Sequence, residues 1–150
     1  MSVYAPKRQI SQAEYLQSAM RLRKIALRTI RRMPKSYRYI ITNSILELVK
    51  DIFVNCVKSE GITLTKNTSI EDFKLKRSFL VQANCDLVAL QAEITFCYEL
   101  IQVGNSAFKN KAEYDKIFEL WIEVALKTLQ LIRGKLENDK LIIKKLKTNG

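Results

Sequence analysis

FKLKRSFLVQANCDLVALQAEITFCYELI, from Phe73 to Ile101, decides the fold. Phe73, Leu80, Leu87, Ile94 and Ile101 recur every seven residues, and Ala83, Leu90 and Cys97 fill the positions three further on. Seven-residue spacing with a companion at three places apolar side chains along one seam of a helix. No proline or glycine interrupts the stretch. One unbroken amphipathic helix is therefore expected over about 69–103, and a helix with a single seam needs partners to cover it.

The flanking sequence supplies them. Ile41, Ile45, Leu48 and Ile52 form the stripe of a helix over about 35–60. Ile117, Trp121, Val124 and Leu131 form that of a helix over about 111–146, widened by Phe118, Ile122, Leu126 and Leu129. A first helix over about 11–33 carries Tyr15, Ala19, Leu22, Ile25, Ala26, Thr29, Ile30 and Met33 in one arc. Ser11-x-x-Glu14 is a capping box, and Ser69-x-x-Asp72 and Asn110-x-x-Glu113 share its spacing. Pro34 falls near the first turn of the second helix, where a missing N–H costs little. Gly134 is expected to weaken or end the last helix. Short connections between long helices make neighbours antiparallel. The expected fold is all-α, an antiparallel up-down four-helix bundle over 11–146, preceded by a flexible basic arm at 1–10.

Composition narrows the chemistry. The chain has 150 residues, one domain's worth, with 4 Gly and 2 Pro, too few for turn-rich β folds. It contains no His, which removes His-based acid–base catalysis, His-assisted nucleophiles and His-ligated metals. Cys56, Cys85 and Cys97 form no C-x-x-C pair, and each is expected to be a buried, reduced thiol. Glu47/Asp51 and Glu119/Glu123 are i, i+4 carboxylate pairs with lysines beside them, which reads as solvated surface rather than a metal site. No enzyme, cofactor or metal is expected. Without an apolar leader or an 18-residue apolar run, a cytoplasmic protein without a membrane partner is expected.

The charge is uneven. Net charge is +11, and residues 1–40 carry ten basic groups against Glu14 alone. On a helix advancing about 100° per residue, Arg21, Lys24, Arg28, Arg31 and Arg32 share an arc nearly opposite the apolar one, and Lys35 and Arg38 extend it. Like charges at i, i+3 and i+4 repel by a few tenths of a kcal/mol per pair. A polyanion would relieve that repulsion, and arginine, five of these seven, matches phosphate with a bidentate fork. A nucleic-acid-binding face is expected; the alternatives are a solvated face, and a site for an anionic membrane or an acidic protein surface, the membrane being the weaker because the apolar arc is needed for the core. Tyr37 and Tyr39 interleave with these cations as possible base-stacking groups. Tyr114, Phe118 and Trp121 at helical spacing read as core before they read as a stacking platform. Leu16, Met20 and Leu27, flanked by Arg23, form a second apolar stripe on the first helix, which suggests a homo-oligomer interface. The basic C-terminal KLIIKKLKTNG is either a further contact or a frayed tail.

The junction RRMPKSYRYIITNSILELVKDI and the helix KLKRSFLVQANCDLVALQAEITFCYEL resemble the Avd-like (accessory variability determinant) four-helix bundle family of diversity-generating retroelements. That family is related to the bundle proteins encoded by intervening sequences in ribosomal RNA genes. The resemblance rests on Pro34-Lys35-x-x-Arg38-Tyr39 and on Leu80, Ala83, Leu87 and Leu90, and spans roughly 15–133; Ile40–Ile45 and Glu123–Gly134 depart from the family pattern. It implies a basic, ring-like homo-oligomer, a pentamer in relatives. It also implies a non-catalytic accessory role, binding RNA or DNA and a reverse transcriptase during mutagenic cDNA synthesis. The face it implies is Arg21, Lys24, Arg28, Arg31, Arg32, Lys35 and Arg38. The other functional class left open is a protein–protein adaptor whose basic face docks an acidic partner.

Overall fold

The computed structural model describes residues 14–33, 35–103 and 111–149. Four helices and, among the described residues, no strand make up the fold: α1 (Glu14–Arg31), α2 (Lys35–Glu60), α3 (Ile70–Val103) and α4 (Lys111–Asn149). The basic arm at 1–10, the caps Ser11 and Asn110, and Pro34 lie outside the described residues. The packed helix pairs are α1–α2, α2–α3, α3–α4 and α1–α4, while the backbones of the diagonal pairs α1–α3 and α2–α4 stay apart. The helices therefore occupy the corners of a square around one core, as a helical bundle does.

The seam of α3 supplies that core. Leu80, Ala83, Leu87, Leu90, Ile94 and Cys97 are all buried. Ile41, Ile45, Val49, Ile52 and Cys56 of α2 meet them, with Leu48 only half-buried at the edge. Every residue of the expected apolar arc of α1 is buried, from Tyr15 to Ile30 and on to Met33 beyond its end. Trp121 of α4 is fully buried, and Phe118 and Tyr114 join it in the core. Each large apolar side chain removed from water contributes about 1.5–3 kcal/mol against the entropy of ordering. The aromatic residues form a contiguous stack at one end of the core. Tyr98 stacks on Tyr114 at 4.9 Å and meets Phe118 edge-on at 5.4 Å.

Polar side chains inside the bundle fix how helices meet. Ser18 of α1 and Thr128 of α4 lie 2.6 Å apart, both buried. The single Thr128 hydroxyl proton goes to the Val124 carbonyl at 2.8 Å, so Ser18 Oγ is the donor across the pair. The Ser69 cap is present: the Asp72 N–H donates to Ser69 Oγ at 3.1 Å, satisfying one of the orphan donors of α3. Backbone bonds from Arg32 N–H to Thr29 O and from Met33 N–H to Ile30 O close the end of α1 before the chain turns into α2.

Three expectations need correction. Helix α4 runs through Gly134 to Asn149 without a break. Space and backbone conformation both permit this: Gly134 does not take a positive φ, and a Cβ there would meet nothing within 4 Å. Cys85 is exposed, not buried. It lies two residues before the seam residue Leu87, a displacement of about 200° around the helix. Leu126 is 46% exposed, because it falls about 110° from the centre of the buried arc of α4.

Two outcomes follow from this packing. Burial pushes the Cys56 and Cys97 thiols up to about 12. At neutral pH a thiol-specific reagent should therefore label no cysteine but Cys85 before denaturation and all three after it; mass spectrometry reads the count. Gly134→Ala should raise stability by about 0.5–1 kcal/mol in urea unfolding, because a helical glycine with open space costs that much relative to alanine.

Candidate nucleic-acid interface

Helix α1 separates charge from oil along its length. Its buried face leaves Arg21, Lys24, Arg28, Arg31 and Arg32 exposed, and Lys35, at the start of α2, is exposed with them. The chain holds no carboxylate between Tyr15 and Leu46, so nothing along this segment itself neutralises the ridge. Among the described residues Arg21, Lys24, Arg28 and Arg31 make no ion pair. Four guanidinium or ammonium groups thus face solvent over roughly three turns of helix, about the span of several phosphates.

The other members have more specific surroundings. Arg32 is ion-paired with Glu113 of α4, so it joins the end of α1 to the start of α4 as well as carrying charge. Arg38 is half-buried, and its Nε donates to the Met33 carbonyl at 2.8 Å. That bond uses one of five guanidinium donors to hold the α1–α2 junction and leaves the terminal nitrogens. The two tyrosines differ sharply. Tyr39 is 92% exposed, whereas Tyr37 is half-buried and packs against the core. A base-stacking role fits Tyr39; Tyr37 is held by packing. In the second stripe of α1, Met20 is 43% and Leu27 45% exposed, while Leu16 is half-buried against the core. Arg23 lies over the Phe53 ring of α2 at 5.8 Å, and with Leu27 and Leu46 it lines the groove between α1 and α2.

A second constellation was not expected. A cavity of about 860 Å³ opens where α1 begins and α2 ends, lined in part by Glu14, Tyr15, Glu60, Lys76, Lys135 and Asp139. The Tyr15 hydroxyl donates to the Glu60 carboxylate, and burial, followed by Glu60, pushes its pKa up. Lys76, 3% exposed, donates to the Ser59 carbonyl at 2.7 Å and the Ile62 carbonyl at 2.9 Å, closing the end of α2. Burial pushes its ammonium below the usual lysine range, and the Asp139 carboxylate offsets part of that. Asp139 is itself buried, with Lys135 Nζ 3.3 Å from Oδ1. Register could have found this group. Lys76 stands three residues after Phe73 and four before Leu80, in the seam itself, and Asp139 stands seven after Ile132. Their charge masks that register in the sequence. These contacts close helix ends, which is structural work.

Among the described residues no three Cys, Asp or Glu side chains cluster to hold a metal ion, and no helix is long and apolar enough to cross a membrane. The exposed Glu119/Glu123 pair and the Glu47/Asp51 pair lie on outward faces, away from the cavity.

Substitution should separate the two tyrosines. Tyr39→Ala should leave unfolding free energy within about 0.5 kcal/mol of wild type, while Tyr37→Ala should cost about 2 kcal/mol through lost packing. Urea titration followed by circular dichroism checks both.

No family model, curated protein or solved structure matches the chain.

Proposed function

We propose that this protein is a non-catalytic, nucleic-acid-binding accessory subunit. In this reading it is an antiparallel up-down bundle that assembles into a homo-oligomeric ring. It binds RNA or DNA through the basic face of α1 and partners a retroelement reverse transcriptase in the cytoplasm during mutagenic cDNA synthesis. The observation that carries the reading is the solvent-facing cationic ridge of α1 backed by a fully buried apolar face. The ridge is unopposed by acids on its own helix beyond Glu14, which sits at the N-terminus.

Antiparallel order is supported by which ends meet. Tyr15 near the start of α1 reaches Glu60 at the end of α2, and Arg32 after the end of α1 reaches Glu113 near the start of α4. Tyr98 late in α3 accepts from Tyr114 early in α4, and Lys147 at the end of α4 donates to Thr68 just before α3. The ring, the pentamer and the reverse transcriptase come from the resemblance of the Met33–Tyr39 junction and of α3 to the Avd-like family. The exposed Met20 and Leu27 support self-association.

Mechanistically, phosphates displace condensed counterions when they meet the ridge, so binding is driven by ion release and carries little base preference. Arg21, Lys24, Arg28, Arg31 and Lys35 supply the positive charge, Arg32 and Arg38 supply charge while holding the junction, and Tyr39 offers a face to an unpaired base.

The test is fluorescence anisotropy with a labelled structured RNA across a salt series. If about five phosphates are engaged, wild-type affinity should fall by roughly two to three orders of magnitude between about 50 and 200 mM salt. Arg21→Glu/Arg28→Glu/Arg31→Glu should lose both affinity and salt slope while keeping its helical content; Arg32 is left intact because its ion pair with Glu113 supports the fold. Equal binding by the triple variant would sink the ridge as the nucleic-acid site and leave an acidic protein partner as the reading to pursue.

A further inference from the structure

Helix α3 carries a surface that the bundle leaves uncovered. Val81 is 41%, Val88 49% and Phe96 48% exposed, and Cys85 and Ala92 between them are exposed as well. These five fall within about 80° of one another around the helix, on the side away from the seam. From Ser78 to Val103 the helix has no basic residue, and its charges are Asp86, Glu93 and Glu99. A continuous uncharged stripe of this kind on a helix already holding a core with its other face marks a contact surface.

The same chain carries the complement. On α1, Met20 and Leu27 are exposed, Leu16 is half-buried in line with them, and arginines flank the row. There the charges are all positive after Glu14. Both rows alternate apolar side chains over three or more turns, so their lengths match to within about one turn of helix. The two helices sit at opposite corners of the square, and their backbones do not pack side by side within one chain. Copies carrying +11 each repel over most of their surfaces, and α3 is where acid and oil allow a second copy to approach.

Resting on the homo-oligomer part of the reading above, we propose that α3 docks on α1 of the next copy. The Val81–Val88–Phe96 stripe seats against Leu16, Met20 and Leu27, and Glu93 and Glu99 face the arginines beside them. This contact is head-to-tail: each copy offers a different face to each neighbour, so repetition closes a ring or extends a filament rather than stopping at a two-fold dimer. Arg28 and Arg21 lie about 100° and 120° around the helix from the stripe, so the contact leaves those cations on free surface, while Lys24 and Arg31 border it.

Two variants with glutamates on opposite sides of the contact test it. Met20→Glu/Leu27→Glu destroys the α1 face, and Val88→Glu/Phe96→Glu destroys the α3 face; the two damaged faces repel and cannot pair with each other. Light scattering after size exclusion reads the masses. Wild type should be an oligomer, and each variant alone a monomer of 17.4 kDa. An equimolar mixture should form a species of twice that mass, since one intact α1 face and one intact α3 face remain between them. A mixture that stays monomeric, or either variant keeping the wild-type mass alone, overturns the pairing. Circular dichroism checks folding; if a glutamate pair unfolds the chain, the corresponding serine pair takes its place with the same readout. RNA anisotropy of wild type in the same buffer keeps the two readings apart. A monomer that binds RNA sinks the interface alone, and an oligomer that ignores RNA sinks the nucleic-acid reading alone.

Discussion

Burial of one face of α1 is the constraint on which the rest depends. That face, from Tyr15 to Ile30, is sealed between α2 and α4, and the Ser18–Thr128 bond fixes its contact with α4. Once it is sealed, the remaining circumference of α1 must face outward. The arginines then have no place except solvent, and their mutual repulsion is held in place by apolar packing on the other side. A helix of this composition in isolation would be marginal. The bundle makes the cationic ridge possible by anchoring it.

The ends of the helices show a second economy. Long cationic side chains fold back on the chain to satisfy backbone groups. Lys76 closes the end of α2 through two carbonyls, Lys147 holds the 66–68 segment through the Lys66 and Thr68 carbonyls, and Arg38 bonds the Met33 carbonyl. Gly61 closes α2 through the Val57 carbonyl, and in a chain with only 4 Gly long cationic side chains take further carbonyls. Positive charge therefore serves two purposes here. On α1 it projects; at helix termini it is spent on carbonyls.

The uncovered rows on α1 and α3 follow from the same geometry. A square bundle asks each helix to bury one face against two neighbours, and an uncharged outer face then has no use within a single chain. Two such faces on diagonal helices, one edged by arginines and one by carboxylates, make sense as two halves of one contact between copies.

The sequence by itself determined the helices, their order and most of the core, because apolar spacing at seven and at three-plus-four is a local property of the chain. The α3 seam, the α1 arc and Trp121 were legible for that reason, and so was the cationic ridge, since an arc opposite a buried arc must be exposed. Tertiary structure alone decided the rest. Whether Arg32 is a free cation or the partner of Glu113 depends on α4 arriving beside it. Whether Tyr37 or Tyr39 is exposed depends on the angle between α1 and α2. Lys76 and Asp139 stand in apolar register, but a charged side chain there signals burial only once a neighbouring helix end brings carbonyls within reach of the ammonium. Cys85 and Leu126 turned outward because a helix at the corner of a square has only two neighbours, which limits how wide an apolar arc it can bury.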